Sequence, residues 1–191
     1  MEGISPEKVI PEAHPQGRPL RKTTDSAFDA IGFKDEEVIE YVWRLLLRFA
    51  HIDNLFRRSR KTNNRLAQAM DLLIEAEGMD GSVLWETKQQ IGDVCLFFCP
   101  LSGNLSRREL NPRFYVAQGK AAYAYVAEID ALRSTTIFFR KLHHEFESCV
   151  MALHLERDFL QDLASQYIGR QFEIFVRSVH PKHKGVSCAF E

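Results

Sequence analysis

The stretch from Thr135 to Leu160, TTIFFRKLHHEFESCVMALHLERDFL, has the strongest helical period in the chain. At 100° per residue, Phe139, Leu142, Phe146, Cys149 and Leu153 fall on one face. An apolar stripe of that kind must be covered by other helices. No segment alternates apolar and polar residues at period two, and no internal repeat is present. The expected fold is therefore all-α: a single-domain bundle of five to six helices with short loops over residues 25–180. A Pro-rich extended arm over residues 1–24 precedes it, and a basic tail over 181–191 follows.

The arm is read from Pro6, Pro11, Pro15 and Pro19, a density that forbids a continuous helix. A short helical turn, SAFDAI, then stops at Gly32. Asp35 or Lys34 opens a clearer helix, with Asp35, Glu36 and Glu37 in its first turn, where the helix dipole favours acids. Val38, Tyr41, Val42, Leu45, Leu46 and Phe49 form its buried face. Thr62 or Asn63 can cap a helix RLAQAMDLLIEAE, with Leu66, Ala69, Met70, Leu73 and Ile74 on one face, ending at Gly78 and Gly81. Ser82 is placed to cap the next helix.

That helix is apolar nearly all round from Ile91 to Cys99, which marks it as central, and it stops at Pro100. Gly92 allows a neighbour to come close. Asp93 needs a partner if buried. Pro112 suits the first position of the following helix, whose Ala117, Gly119, Ala121, Ala122 and Ala124 also permit close approach. Pairing of Asp93 with Lys120 or Arg113 is expected, which makes Asp93, Arg113, Lys120 and Tyr123 a candidate buried polar network. Ser134 is placed to cap the Thr135–Leu160 helix.

Composition limits the functional classes. The chain has 191 residues, a 45% apolar share and 14 Phe, enough for one packed domain. A net charge of −1 gives no general attraction to nucleic acid or to anionic membrane. The start has no positive segment followed by an apolar one, so it does not read as a secretory signal. Runs such as VCLFF fall far short of the ~18 residues that span a bilayer. Cys95, Cys99, Cys149 and Cys188 show no CxxC pair and no zinc spacing, which fits reduced, core-packing thiols in a cytoplasmic protein.

Three sets of residues could carry chemistry. His143 and Glu147 stand four apart, as do His154 and Asp158, with Arg140 on the same flank. With His51 as a second-helix imidazole, His143, Glu147 and His154 are candidate ligands for a metal, in the manner of helical bundles that hold metal between facing helices, or for a small molecule in the bundle. The chain contains no Glu-x-x-His, and no other helix repeats the ligand spacing, so a solvated flank with two i,i+4 pairs is the simpler reading and no cofactor is assigned. Arg57, Arg58, Arg60, Lys61 and Arg65 form the densest positive patch, a candidate site for phosphate, RNA or an acidic partner. It has no interleaved aromatic run on which bases could stack, and a solvated helix end or inter-helix corner is the simpler reading. Arg177 to His183, RSVHPKH, has the Arg–His spacing of HEPN helical-bundle ribonucleases. Pro181 between them would break the helix that holds such a pair in register.

The segments IGDVCLFF, RFYVAQGKAAY and FFRKLHHEFESCVMAL, in this order and spacing, resemble a group of uncharacterised bacterial all-helical proteins. The resemblance covers about residues 85 to 160. It implies a bacterial cytosolic protein and no particular activity, and it directs attention to Asp93, Arg113, Tyr115, Lys120, Tyr123 and Glu147 as a polar set inside the bundle. The leading functional expectation is a non-enzymatic bundle that works through protein–protein contacts or self-association, as a homodimer.

Overall fold

A computed structural model describes residues 17–50, 57–58, 65–66, 69–102, 112–129 and 134–157. They form seven α-helices: α1 (Gly17–Ala30), α2 (Glu36–Ala50), α3 (Ala69–Ala76), α4 (Gly81–Phe98), α5 (Pro112–Ile129), α6 (Ser134–His144) and α7 (Phe146–Leu155). The one extended element is a two-residue antiparallel pairing, β1 (Arg57–Arg58) with β2 (Arg65–Leu66), between α2 and α3. The all-α expectation holds, with seven helices where five or six were expected.

Two differences lie at the N-terminal side. Residues 17–24, placed in the extended arm, are the first half of α1. Pro19 sits in the first turn, where its missing N–H removes no helical bond. Leu20, Thr24, Ala27 and Phe28 then recur at helical spacing and are buried. The helix ends where the sequence indicated. Gly32 has φ +73°, its N–H donates to the Asp29 carbonyl (3.0 Å), and the Phe33 N–H donates to the Phe28 carbonyl (3.0 Å). This is a Schellman closure, and its accompanying apolar contact is Phe28 against Phe33, ring centroids 5.3 Å apart.

The second difference is α3. It begins at Ala69, four residues after the expected start, because Arg65 and Leu66 belong to the antiparallel pair. Its buried face is Ala69, Leu72, Glu75 and Ala76, while Met70 and Ile74, expected inside, are exposed. Ala69, Leu72 and Ala76, at i, i+3 and i+7, form the stripe buried as α3 packs on α4, and that contact sets the rotation of the helix.

Asp35 caps α2, its Oδ1 accepting from the N–H groups of Glu37 (3.1 Å) and Val38 (3.3 Å). At the start of α4 the cap position is Asp80 rather than Ser82, and the Leu84 N–H makes the first bond to the Asp80 carbonyl (3.3 Å). From Ile91 to Phe97 every residue of α4 is buried, as its all-round apolar character requires. A single 3-10 turn, Cys99–Leu101, follows at Pro100, and α5 opens on Pro112.

The expected single helix from Thr135 divides at Glu145 (φ −92°, ψ 12°) into α6 and α7. Two backbone bonds still bridge the junction, Glu145 N–H to the Lys141 carbonyl (2.8 Å) and Cys149 N–H to the Glu145 carbonyl (2.9 Å). Phe139, Leu142, Phe146, Cys149 and Leu153 are all buried, so the core stripe runs through the break. Helix α4 packs on α5, α3 and α7; α5 packs on α6; α1 lies against α2 and α7.

Candidate functional site

The most concentrated polar chemistry inside the bundle is around Asp93, whose side chain is 1% exposed. Its Oδ1 accepts two phenol hydroxyls, from Tyr41 of α2 and Tyr123 of α5, each at 2.7 Å. Its Oδ2 accepts from Arg48 Nη2, also on α2. Gln89 Nε2, one turn before Asp93 on α4, donates to the Tyr41 hydroxyl at 3.3 Å. One carboxylate thus joins three helices, and Arg48 balances its charge.

The tyrosines hold their place through their rings. Tyr41 lies against Phe138 and Phe139, with centroids 5.0 and 6.2 Å away, and Tyr123 lies against Phe139 and Phe146, at 5.8 and 6.0 Å. Burial pushes both phenols well above the ordinary tyrosine range, and the neighbouring Asp93 charge adds to the shift. Both stay protonated as donors to the carboxylate. The arrangement is a filled clasp: its phenols keep their protons and so are not available as bases, and its carboxylate oxygens are already engaged.

The structure brings together only some residues of the expected polar network. Asp93 and Tyr123 meet, but Lys120 and Arg113 do not join them. Lys120 Nζ turns outward to Glu147 Oε2 at 2.8 Å, because a lysine stem can lie along apolar surface while its ammonium stays at the wet rim. Arg113 is exposed on the first turn of α5, ten residues before Tyr123 and so about 15 Å away along the axis. Arg48 takes the cation's role instead. Tyr41 and Arg48 are seven residues apart, two helical turns, which puts both on the α4-facing side of α2. That spacing was the available signal, though nothing in the sequence tied it to Asp93.

The candidate metal ligands lie on the outer side of α6 and α7. His143 is half-buried and its Nδ1 is 2.9 Å from the Lys120 carbonyl; a carbonyl only accepts, so Nδ1 carries a proton. Glu147 is taken by Lys120, whose hydrogen bond holds its carboxyl below the ordinary range. His154 is exposed two turns beyond Glu147. His51 and Asp158 lie outside the described residues. Among the described residues no three His, Cys, Asp or Glu side chains gather as a ligand set.

The thiols follow the packing expectation. Cys95, Cys99 and Cys149 are free and buried. Burial pushes the Cys99 thiol up to about 11 and the Cys149 thiol up to about 12, and drives Cys95 upward as well. Such thiols are poor nucleophiles at neutral pH.

In the basic patch, the backbone register sets Arg58 opposite Arg65 and Arg57 opposite Leu66. Arg60, Lys61, the Arg177–His183 pair and the tail lie outside the described residues. Among the described residues no helix is long and apolar enough to cross a membrane.

The fold defines an all-helical protein in which the clasp residues Asp93, Tyr41, Tyr123 and Arg48 are spent on one another. Comparison with protein-family models, with curated proteins and with solved structures finds no match.

Proposed function

We propose that this protein acts through protein–protein contacts, with self-association into a homodimer as the specific form. The observation that carries the reading is on α7. Met151 and Leu155 are 54% and 59% exposed and four residues apart, on a helix whose opposite face is core. Met70 and Ile74 repeat the arrangement on α3. Single exposed apolar residues are ordinary, but pairs at helical spacing make a continuous strip of the kind that docks against another helix. A cytoplasmic setting suits the three unoxidised buried thiols. The resemblance of residues 85–160 to uncharacterised bacterial helical proteins belongs to the same reading and adds no activity to it. Sedimentation equilibrium of the full chain tests the proposal. A mass near twice the 22.1 kDa of one chain is expected, and a single-chain mass at every concentration would count against it.

A second reading, phosphate or RNA binding, draws on the Arg58–Arg65 register. That backbone register sets two positions of the basic patch opposite each other. Its sign would be RNA binding that weakens steeply with salt; no binding at low salt would dispose of it.

A further inference from the structure

The Asp93 clasp satisfies its carboxylate. A second buried carboxyl, Glu156, stands in the opposite situation. It follows the last residue of α7 and is 7% exposed. Among the described residues neither of its carboxyl oxygens has a hydrogen-bond partner. The hydroxyls of Thr23 and Thr24, on α1, lie beside it and are the natural donors. Each already gives its proton to the Leu20 carbonyl, at 2.9 Å in both cases. A hydroxyl has one proton to donate, so what these two present to Glu156 is acceptor capacity.

An ionised carboxylate in that position is buried without a donor, whereas a carboxylic acid brings its own O–H and meets two hydroxyl acceptors. The electrostatics point the same way. Burial raises the Glu156 carboxyl above its ordinary value and outweighs the lowering by the Thr23 and Thr24 hydroxyls, while the negative charge of Asp25 on α1 adds a smaller upward push. Asp25 is itself held by Arg21, at 2.8 Å, and Arg21 also reaches Glu36 and Glu40 of α2, which keeps that cation engaged away from Glu156. On α7 and just beyond, His154 and Arg157 are exposed. On the other helices packed on α7, Lys120 of α5 is committed to Glu147, Asp93 of α4 to Arg48, and Lys141 of α6 to Asp35 and Glu37.

We propose that Glu156 is a pH-sensitive latch: as the neutral acid it holds α1 against the end of α7, and its ionisation loosens α1 from the bundle. Proton loss is the whole of the step, the proton passing from the carboxyl to water. The sign follows from the raised value. The closed form is fully favoured below the ordinary carboxyl value of 4.5 and loses ground as pH rises from there to the raised folded value, beyond which the effect levels off. This latch is independent of self-association, because it is read within one chain and at α1 rather than at Met151 and Leu155.

Amide hydrogen exchange of the full chain, followed over α1 and corrected for the intrinsic pH dependence of exchange, tests it. In the wild-type chain, opening of α1 should grow by about tenfold per pH unit over that window, while α4 stays protected throughout. Glu156→Gln, which keeps a donor and never ionises, should abolish the dependence and leave α1 as protected at neutral pH as the wild type is in acid. Asp25→Asn should move the wild-type transition to lower pH, and this arm stands even if E156Q folds poorly. An unchanged pH dependence in E156Q, an unmoved transition in D25N, or α1 protection that is flat with pH in the wild type would each overturn the proposal.

Discussion

The ring of Tyr123 lies directly over Gly92: a Cβ at position 92 would stand 2.5 Å from Tyr123 Cε1. Glycine there lets α5 come close enough to α4 for the Tyr123 hydroxyl to reach Asp93, the next residue. The same device recurs one helix over, where a Cβ at Gly119 of α5 would meet Phe146 Cζ of α7 at 2.3 Å. Both rings are fully buried and cannot swing aside cheaply. Gly92→Ala and Gly119→Ala are therefore each expected to lower stability by about 1–3 kcal/mol, although alanine is the better helix former. Urea denaturation checks this; an alanine that stabilises either site would contradict the packing.

The clasp has its own energetic signature. Tyr123→Phe and Tyr41→Phe each remove one charge-assisted hydrogen bond, at an expected cost of about 1.5–3 kcal/mol. Arg48→Met leaves Asp93 buried and uncompensated and should cost about 3–5 kcal/mol. Replacing both, as Arg48→Met with Asp93→Asn, should recover part of that loss, since no uncompensated charge stays buried and the amide Oδ1 still accepts from Tyr41 and Tyr123. A double-mutant cycle by chemical denaturation measures the coupling, and additive losses would show that the two side chains do not act as a pair.

Alkaline pH should reveal the same site. The phenols of Tyr41 and Tyr123 ionise at ordinary values once unfolded but well above 10.0 when folded. Stability is then fully present below 10.0 and falls as pH rises past it, because the unfolded chain loses these protons first. The double variant Tyr41→Phe/Tyr123→Phe should be weaker at neutral pH yet show a shallower alkaline decline. Equal slopes for the two proteins would contradict the assignment.

Thiol reactivity offers a further check. Cys95, Cys99 and Cys149 are buried, with thiols raised by that burial. A disulfide reagent at pH 8 should modify them only as the chain unfolds, at a rate set by opening rather than by reagent concentration. Rapid modification of any of the three in the native protein would place that thiol at the surface.

How much of this was legible in the sequence depends on the range of the interaction. Local signals read correctly: the Gly32 stop, the acid-rich start of α2, the all-round burial of Ile91–Phe97 and the core stripe from Phe139 to Leu153. Each rests on residues within a few turns of one another. The rotation of α3 did not read correctly, because Leu72 and Ala76 compete there with the equally apolar Met70 and Ile74, and contact with α4 decides between them. The partner of Asp93 was missed for a related reason. Arg48 is 45 residues away, and in sequence it is one of two basic residues on α2, whereas Lys120 was nearer and lay on a helix already expected to pack on α4. Pro19 misled in another way: proline density argued for an extended arm, but a proline in the first turn is compatible with the helix that Leu20, Thr24 and Phe28 define.

The functional account stands on the outer strip of α7, and one comparison tests it most directly. Met151→Glu combined with Leu155→Glu places two charges on residues that are already exposed, so the fold of a single chain should be unaffected: circular dichroism and the melting midpoint of the isolated chain stay as they are. Sedimentation equilibrium of this variant beside the wild type should show a dimer for the wild type and a single 22.1 kDa chain for the variant. A variant that keeps the wild-type mass would contradict the proposed interface, and a wild-type chain that sediments as a monomer would contradict self-association itself.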